Sequence, residues 1–452
     1  MARPFDVSKL FYGMNIHPQY NGAPWHRTPA EVIDEVHELG CTVARIDCYN
    51  PEVDADIVLE HIYEAERKGI LVVPCLGYDE PIIENDPDGN YDVGKYCGEE
   101  FAKVLSDHCP IYEVSNEISV FCNGVGVPGT EPSHYDQEKY INCRELIRGV
   151  IDGIKSVQID AKIIIGGGVT VLTGFNKLLW NGTEPDGSGG HPLVRWDYTG
   201  WHWYESSGAI DQAGDGTGVP YNVIEDLARF GVPIWITELG FDAFNSDFPQ
   251  QSVYVNAALT EYRKHRDVYN VINTCWYALY DDGSGDFGLI QVQADASAAA
   301  EANRDTKAYS KQKSREALLA YTSSKSRRAS AGITASRGKS PAAAGAKPES
   351  LERKPAHETF MTFVSANPDD DQSGEEFHTA EYTLPIALYQ RLRDAAAEHH
   401  VSENDELVHR LDATFTPLWA LYENLKSAAE HNGVSLFDEV VTRLESTFSE
   451  RK

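Results

Sequence analysis

Eight runs rich in β-branched and aromatic residues recur along the chain: 10–16, 41–47, 70–76, 111–116, 162–168, 198–204, 233–239 and 271–278. Between them lie segments whose apolar positions repeat with helical period, such as TPAEVIDEVHELG, DADIVLEHIYEAERKG and HYDQEKYINCRELIRGVIDGIKSV. The first has a helix start in Thr28 and Pro29 and a stop in Gly40. Eight strands alternating with helices predict an α/β fold, and specifically a (β/α)8 TIM barrel. A doubly wound sheet shares the alternation, but no glycine-rich phosphate loop follows the first run. GGG at 166–168 is not GxGxxG and reads as tight backbone beneath a crowded site.

The pattern predicts a last barrel helix at 306–321, so the barrel is assigned residues 1–324. Residues 325–375 then become rich in Ser, Ala, Gly, Pro and basic side chains, the composition of a disordered linker. Residues 376–452 hold a tandem repeat. The stretch 388–415 matches 421–448 at an offset of 33 with 14 identities in 28. Each copy reads as a helical hairpin with a capping box, at Ser402 and Asp405 and at Ser435 and Asp438. One hairpin cannot cover its own apolar stripe, so the module is expected to pack on its repeat or make a homo-oligomer. On this division the barrel should fold and work without residues 325–452.

Charge refines the picture. Residues 1–292 carry 45 acids against 19 bases, whereas 293–360 carry 13 bases against 7 acids. An acidic barrel disfavours nucleic acid and anionic lipid and favours neutral or cationic substrates. All eight cysteines fall before residue 293 with no metal-ligand spacing, so buried thiols are expected and neither metal nor cofactor. Asp86, Asp88, Asn90 and Asp92 alternate as in calcium loops, but the glycine comes too early, and the segment reads as an acidic turn. No secretory signal or membrane span is visible, which points to the cytoplasm unless release follows lysis or a phage particle.

Barrel chemistry sits where strands end. Those ends carry Asn15 and His17, Arg45 and Asp47, Asn116 and Glu117, His202, Trp203 and Tyr204, Glu238, and Trp276. Two carboxylates therefore face one mouth, and an arginine inside an apolar strand needs a buried acidic partner. Trp201, Trp203 and Trp235 fit either core or sugar platforms.

Asn-Glu closing strand 4, Glu closing strand 7, HxY after strand 6, the strand-2 Arg and the strand-8 Trp together resemble the clan of retaining β-glycosidases with (β/α)8 barrels, nearest to families 5 and 39. The likeness covers about residues 8–322. It implies Glu117 as general acid/base, Glu238 as nucleophile and Asn116 on the sugar 2-hydroxyl. Arg45 and Tyr204 would keep Glu238 ionised, His202 would lie beside Glu117 or the sugar, and Trp276 would be the platform at the cleavage site. Asn15, His17 and Trp203 complete the expected lining, and the implied substrate is an oligo- or polysaccharide.

The tail is similar to ribbon-helix-helix proteins of the Arc type. It departs from them in holding 14 acids against 7 bases over 376–452 and in placing Glu381 on the face that would meet DNA. It is read as an oligomerisation or docking module. A non-catalytic sugar-binding barrel and a sugar-sensing regulator with a DNA-binding tail remain the alternatives.

Overall fold

A computed structural model of the chain describes residues 9–17, 27–244, 247–281, 285–292 and 351–369. All of them belong to a unit that spans Met1–Asp371. Eight parallel strands close into a barrel: β1 (Tyr12–Ile16), β2 (Val43–Cys48), β3 (Leu71–Leu76), β4 (Ile111–Val114), β5 (Lys162–Val169), β6 (Tyr198–Tyr204), β7 (Ile234–Gly240) and β8 (Val271–Trp276). Each strand pairs in parallel with its neighbours in sequence, and β8 closes on β1 through Tyr12 opposite Thr274 and Met14 opposite Trp276. This is the (β/α)8 barrel that the pattern predicts.

The outer helices are α1 (Pro29–Glu38), α2 (Pro51–Glu66), α3 (Pro87–Leu105), α5 (Gln137–Val157), α6 (Gly174–Asn181), α7 (Val223–Ala228), α8 (Phe248–Tyr269) and α9 (Pro355–Ala366); a short α4 (Ile118–Cys122) follows β4. The start of α1 is the capping box expected at Thr28, with Glu31 reciprocating, and Gly40 ends the segment at φ +76°. The acidic run near Asp86 is a helix start: Asp86 accepts from the Gly89 N–H at the head of α3. Helices α3 and α5 touch backbone to backbone, because Gly94 and Gly98 face Gly149 and Gly153. A Cβ at Gly98 would overlap the Val150 carbonyl oxygen, and one at Gly153 that of Lys95.

Strand alternation splits the core in two. Outward residues such as Met14, Tyr112 and Trp276 join the large layer between barrel and helices. Inward residues from the strand starts, including Leu10, Val43, Leu71, Ile111, Ile164 and Trp235, fill the lower interior. Trp235 is thus a barrel-core residue. All eight cysteines are buried free thiols. Among the described residues no helix is long and apolar enough to cross a membrane.

The C-terminal boundary differs from the expectation. Residues 351–369, assigned by composition to a linker, complete the barrel. After β8 the chain forms β9 (Ile290–Val292), which pairs antiparallel with β10 (Leu351–Arg353). Helix α9 then packs against α8. On the α1 side Arg353 holds Glu35 and Glu38, and Val364 lies against Gly40. Ala356 and Phe360 are fully buried. Beyond α9, Asp369 pairs with Arg266 at 2.5 Å and accepts from the Phe11 N–H, and the Asn367 carbonyl accepts from the Tyr12 hydroxyl. So α9 is the eighth helix of the barrel, and the stretch 293–350 interrupts the last strand–helix unit. Composition misplaced it because its short apolar pattern follows a long stretch of small and basic residues. The expected helix at 306–321, the rest of the linker and the repeat module lie outside the described residues.

Two outcomes follow. A chain ended after Asp371 should keep the melting transition of the full protein. One ended after Ser350 lacks α9 and loses the burial of Phe360, which alone is worth about 1.5–3 kcal/mol; circular dichroism melts compare the two. Gly98→Ala, which forces α3 from α5, should destabilise by about 1–3 kcal/mol in urea unfolding.

Candidate active site

Halfway up the barrel the interior changes from apolar to charged. Arg45 on β2 is 1% exposed and occupies the centre. Its Nε donates to Glu113 on β4 and its Nη1 to Glu238 on β7 at 2.8 Å, to Asn15 on β1 at 2.8 Å and to Asp47 at 3.3 Å. Its Nη2 reaches Asn116 Oδ1 at 2.8 Å and Cys75 Sγ at 3.2 Å. One guanidinium therefore ties β1, β2, β3, β4 and β7 together. Burial would lower its pKa, but the facing acidic groups, Glu113, Glu238 and Asp47 among them, drive it well above its ordinary value.

Glu117 reaches the mouth through backbone geometry. Ser115 and Glu117 both take left-handed conformations, φ 67° and 51°, each costing on the order of 1–2 kcal/mol in a non-glycine residue. The turn is held by three backbone bonds: Ser115 N–H to Leu76 O, Asn116 N–H to Tyr78 O and Glu117 N–H to Gly166 O. Gly166 is required here. A Cβ would run into Ser115 O and the Glu113 carboxylate. The expected tight backbone under a crowded site is present.

Glu238 depends on a bulge. Trp235 faces inward, so strict alternation would turn residue 238 outward. Both ladders of β7 slip after Ile236: on the β6 side Trp201 pairs with Ile236 and the next residue, His202, with Glu238, and on the β8 side Thr274 pairs with Ile236 and Trp276 with Leu239. The extra residue, Thr237, resets the parity. Glu238 then accepts from Tyr204 Oη on one oxygen and Arg45 on the other. His202 Nδ1 lies 2.8 Å from Glu117 Oε1 and 3.2 Å from Glu238 Oε2. Burial pushes Glu238 above its ordinary value despite His202 and Arg45, which oppose it. Burial would lower His202, but the Glu238 and Glu117 carboxylates reverse this and raise it.

The structure brings Arg45, Asn116, Glu117, His202, Tyr204 and Glu238 together. Asn15 is fully buried and acts as a strut: its Nδ2 donates to Thr237 O at 3.0 Å while its Oδ1 holds Arg45. His17 sits at the end of β1, its ring 5.0 Å from Tyr277. Two expected residues lie elsewhere. Trp276 follows the inward Cys275 and so points outward; its ring meets Tyr254 of α8, and its Nε1 donates to Phe287 O. Trp203, between the inward His202 and Tyr204, is buried in the outer layer with Nε1 on Gly208 O. Neither is a platform at the mouth. Two aromatics beyond β8 meet the site instead, Tyr277 at 6.0 Å and Phe287 at 5.4 Å from the Tyr204 ring.

Glu113 is the residue that sequence reasoning missed. It is fully buried, takes Arg45 Nε, and leaves Oε1 4.0 Å from His202 Nε2. Alternation held the signal, since Glu113 shares a face with Ile111 while Tyr112 and Val114 take the other.

Glu117, His202 and Glu238 each place one donor atom within 4.8 Å of the others. That spacing would suit a divalent ion, but Glu238 already has a guanidinium and a phenol on its two oxygens. The arrangement is better suited to proton transfer beside a held carboxylate.

No protein-family model and no curated protein matches the sequence. Among solved structures, the chain is similar to a family 5 xyloglucanase from Paenibacillus pabuli, at 14% identity over 68% of this chain and 99% of that one, TM-score 0.43. An endo-β-1,4-mannanase from Thermotoga petrophila gives 15% over 66% and 76%, TM-score 0.38. An endocellulase from Pyrococcus horikoshii gives 13% over 65% and 92%, TM-score 0.42. The barrel assignment itself rests on the strand order and register described above.

Because the folded state holds the Glu238 proton more tightly than the unfolded chain, the group favours folding below its ordinary value of 4.5. That contribution is lost as pH rises through the folded value. Carbon-13 NMR of labelled glutamate should therefore find Glu238 titrating above 4.5. Tyr204→Phe, which removes a donor to the charged form, should move it higher still.

Proposed function

We propose that the protein is a retaining glycoside hydrolase acting on a β-linked oligo- or polysaccharide. The observation that carries this reading is the approach of the Glu117 and Glu238 carboxylates, with His202, to within 4.8 Å across the mouth. Retaining enzymes hold their two carboxyl groups about 5–5.5 Å apart, whereas inverting enzymes leave about 6.5–9.5 Å for a water.

Exposure divides the roles. The Glu238 side chain is 7% exposed and fixed on both oxygens, as a nucleophile must be, whereas Glu117 is 32% exposed, within reach of a leaving group entering from the mouth. In the first step Glu238 attacks the anomeric carbon and the bond to the leaving oxygen breaks, while Glu117 gives that oxygen its proton. In the second, Glu117 takes a proton from water, which displaces Glu238 and restores both groups. Arg45 and the Tyr204 hydroxyl support the Glu238 charge before the attack and again as the carboxylate departs in the second step. Asn116 has its Oδ1 taken by Arg45, which leaves its N–H groups for a sugar hydroxyl. His202 passes charge between the two acids, and Tyr277 supplies the apolar face under the ring.

Glu238→Ala should abolish turnover, and a 2-fluoro glycoside should label the peptide that contains Glu238. Glu117→Ala should keep the first step on activated aryl glycosides and recover turnover with azide, because a good leaving group needs no acid. The first-formed product should be the β anomer by NMR. Labelling elsewhere, or an initial α anomer, overturns the assignment; a wild-type protein that binds glycans without turnover makes it a binding barrel.

A further inference from the structure

The loop that follows β8 is fastened by a residue from the far side of the 293–350 stretch. Lys354, the residue before α9, is 3% exposed. Its Nζ donates to Asp281 Oδ1 at 2.7 Å and to the Asp286 carbonyl at 2.8 Å. The backbone N–H of Lys354 donates to Leu289 O at 2.9 Å, and the same Asp281 oxygen accepts from the Gly288 N–H. One buried ammonium thus holds Asp281 and Asp286, the residue before Phe287.

Phe287 touches the groups around Glu238. The Phe287 ring lies 5.4 Å from Tyr204 and 5.6 Å from Tyr277. Tyr204 holds Glu238 through its hydroxyl. The Asp286 N–H also donates to Asp242, four residues beyond Glu238. Gln251 Nε2 meets the carbonyls of Phe241, Asp286 and Phe287 at 3.2 Å, so the loops after β7 and β8 are locked as a unit. Lys354 is the cation that pairs with Asp281 on this unit. Removing it leaves Asp281 buried and without its counter-ion.

We infer that Lys354 is a positioning residue for the active site, acting through Asp281, Asp286 and Phe287 to hold Tyr204 on Glu238. This extends the glycosidase reading, and only the kinetic arm of its test rests on that reading.

The test uses the full chain with Lys354→Met, Lys354→Arg and Asp281→Asn, and Arg353→Ala as a neighbouring surface control. Hydrogen–deuterium exchange followed by mass spectrometry should show faster exchange in peptides covering 277–290 and 238–244 for Lys354→Met and Asp281→Asn. Peptides from β2 and β3 should stay at wild-type rates. On an aryl β-glycoside kcat should fall between about ten- and a hundredfold, the scale of a small misplacement of reacting groups, with KM little changed. Lys354→Arg should recover most of the loss, and Arg353→Ala should match wild type. Should Lys354→Met not fold, Asp281→Asn decides alone. Unchanged exchange in the two loop peptides, unchanged kcat, or a uniform rise across the barrel would overturn the inference. A wild type with no turnover, together with localised exchange, would leave the positioning intact and remove the glycosidase reading instead.

Discussion

A guanidinium placed in the middle of a barrel governs the rest of this structure. Arg45 is shielded from water, so its charge has to be balanced within the fold. Glu113, Glu238 and Asp47 do so, while Asn15, Asn116 and Cys75 fill the remaining directions. Those partners come from four strands besides its own, so satisfying one side chain fixes the height and rotation of most of the barrel. The cost of leaving such a charge unpaired, about 3–5 kcal/mol when one partner is removed, is what makes the arrangement specific.

The same requirement explains the local irregularities. Glycine at 166 and 200 leaves room for the Glu113 carboxylate. A bulge at Thr237 turns Glu238 towards Arg45 against the parity of its strand. Two left-handed residues after β4 carry Glu117 over the mouth. These three departures lie at the charged end of the barrel, although β8 also slips against β7 between Val271 and Asn273 near the strand starts. Stability and chemistry are thus divided along the barrel axis, with apolar packing below and ionic positioning above.

The closing segment links the two. Residues 351–369 complete the helical ring and bind the strand starts through Asp369 and Asn367. At their other end, Lys354 fastens the loop that packs on Tyr204. A fold element separated from β8 by a long stretch of small and basic residues therefore reaches both the apolar base and the charged mouth.

The sequence by itself determined the barrel, because eight buried strands alternating with amphipathic helices have few other ways to cover their apolar faces. It also determined the acids at the ends of strands 4 and 7, the arginine that needed a carboxylate, and the cap of α1, since each is a local pattern. Tertiary structure alone decided what depends on parity, bulges and distant pairing. Trp276 and Trp203 face outward because their neighbours Cys275, His202 and Tyr204 face in. Tyr277 takes the mouth, and Glu113 rather than Glu238 alone answers Arg45. The eighth helix is α9 because its apolar face fits between α8 and α1, a complementarity that composition along the chain does not encode.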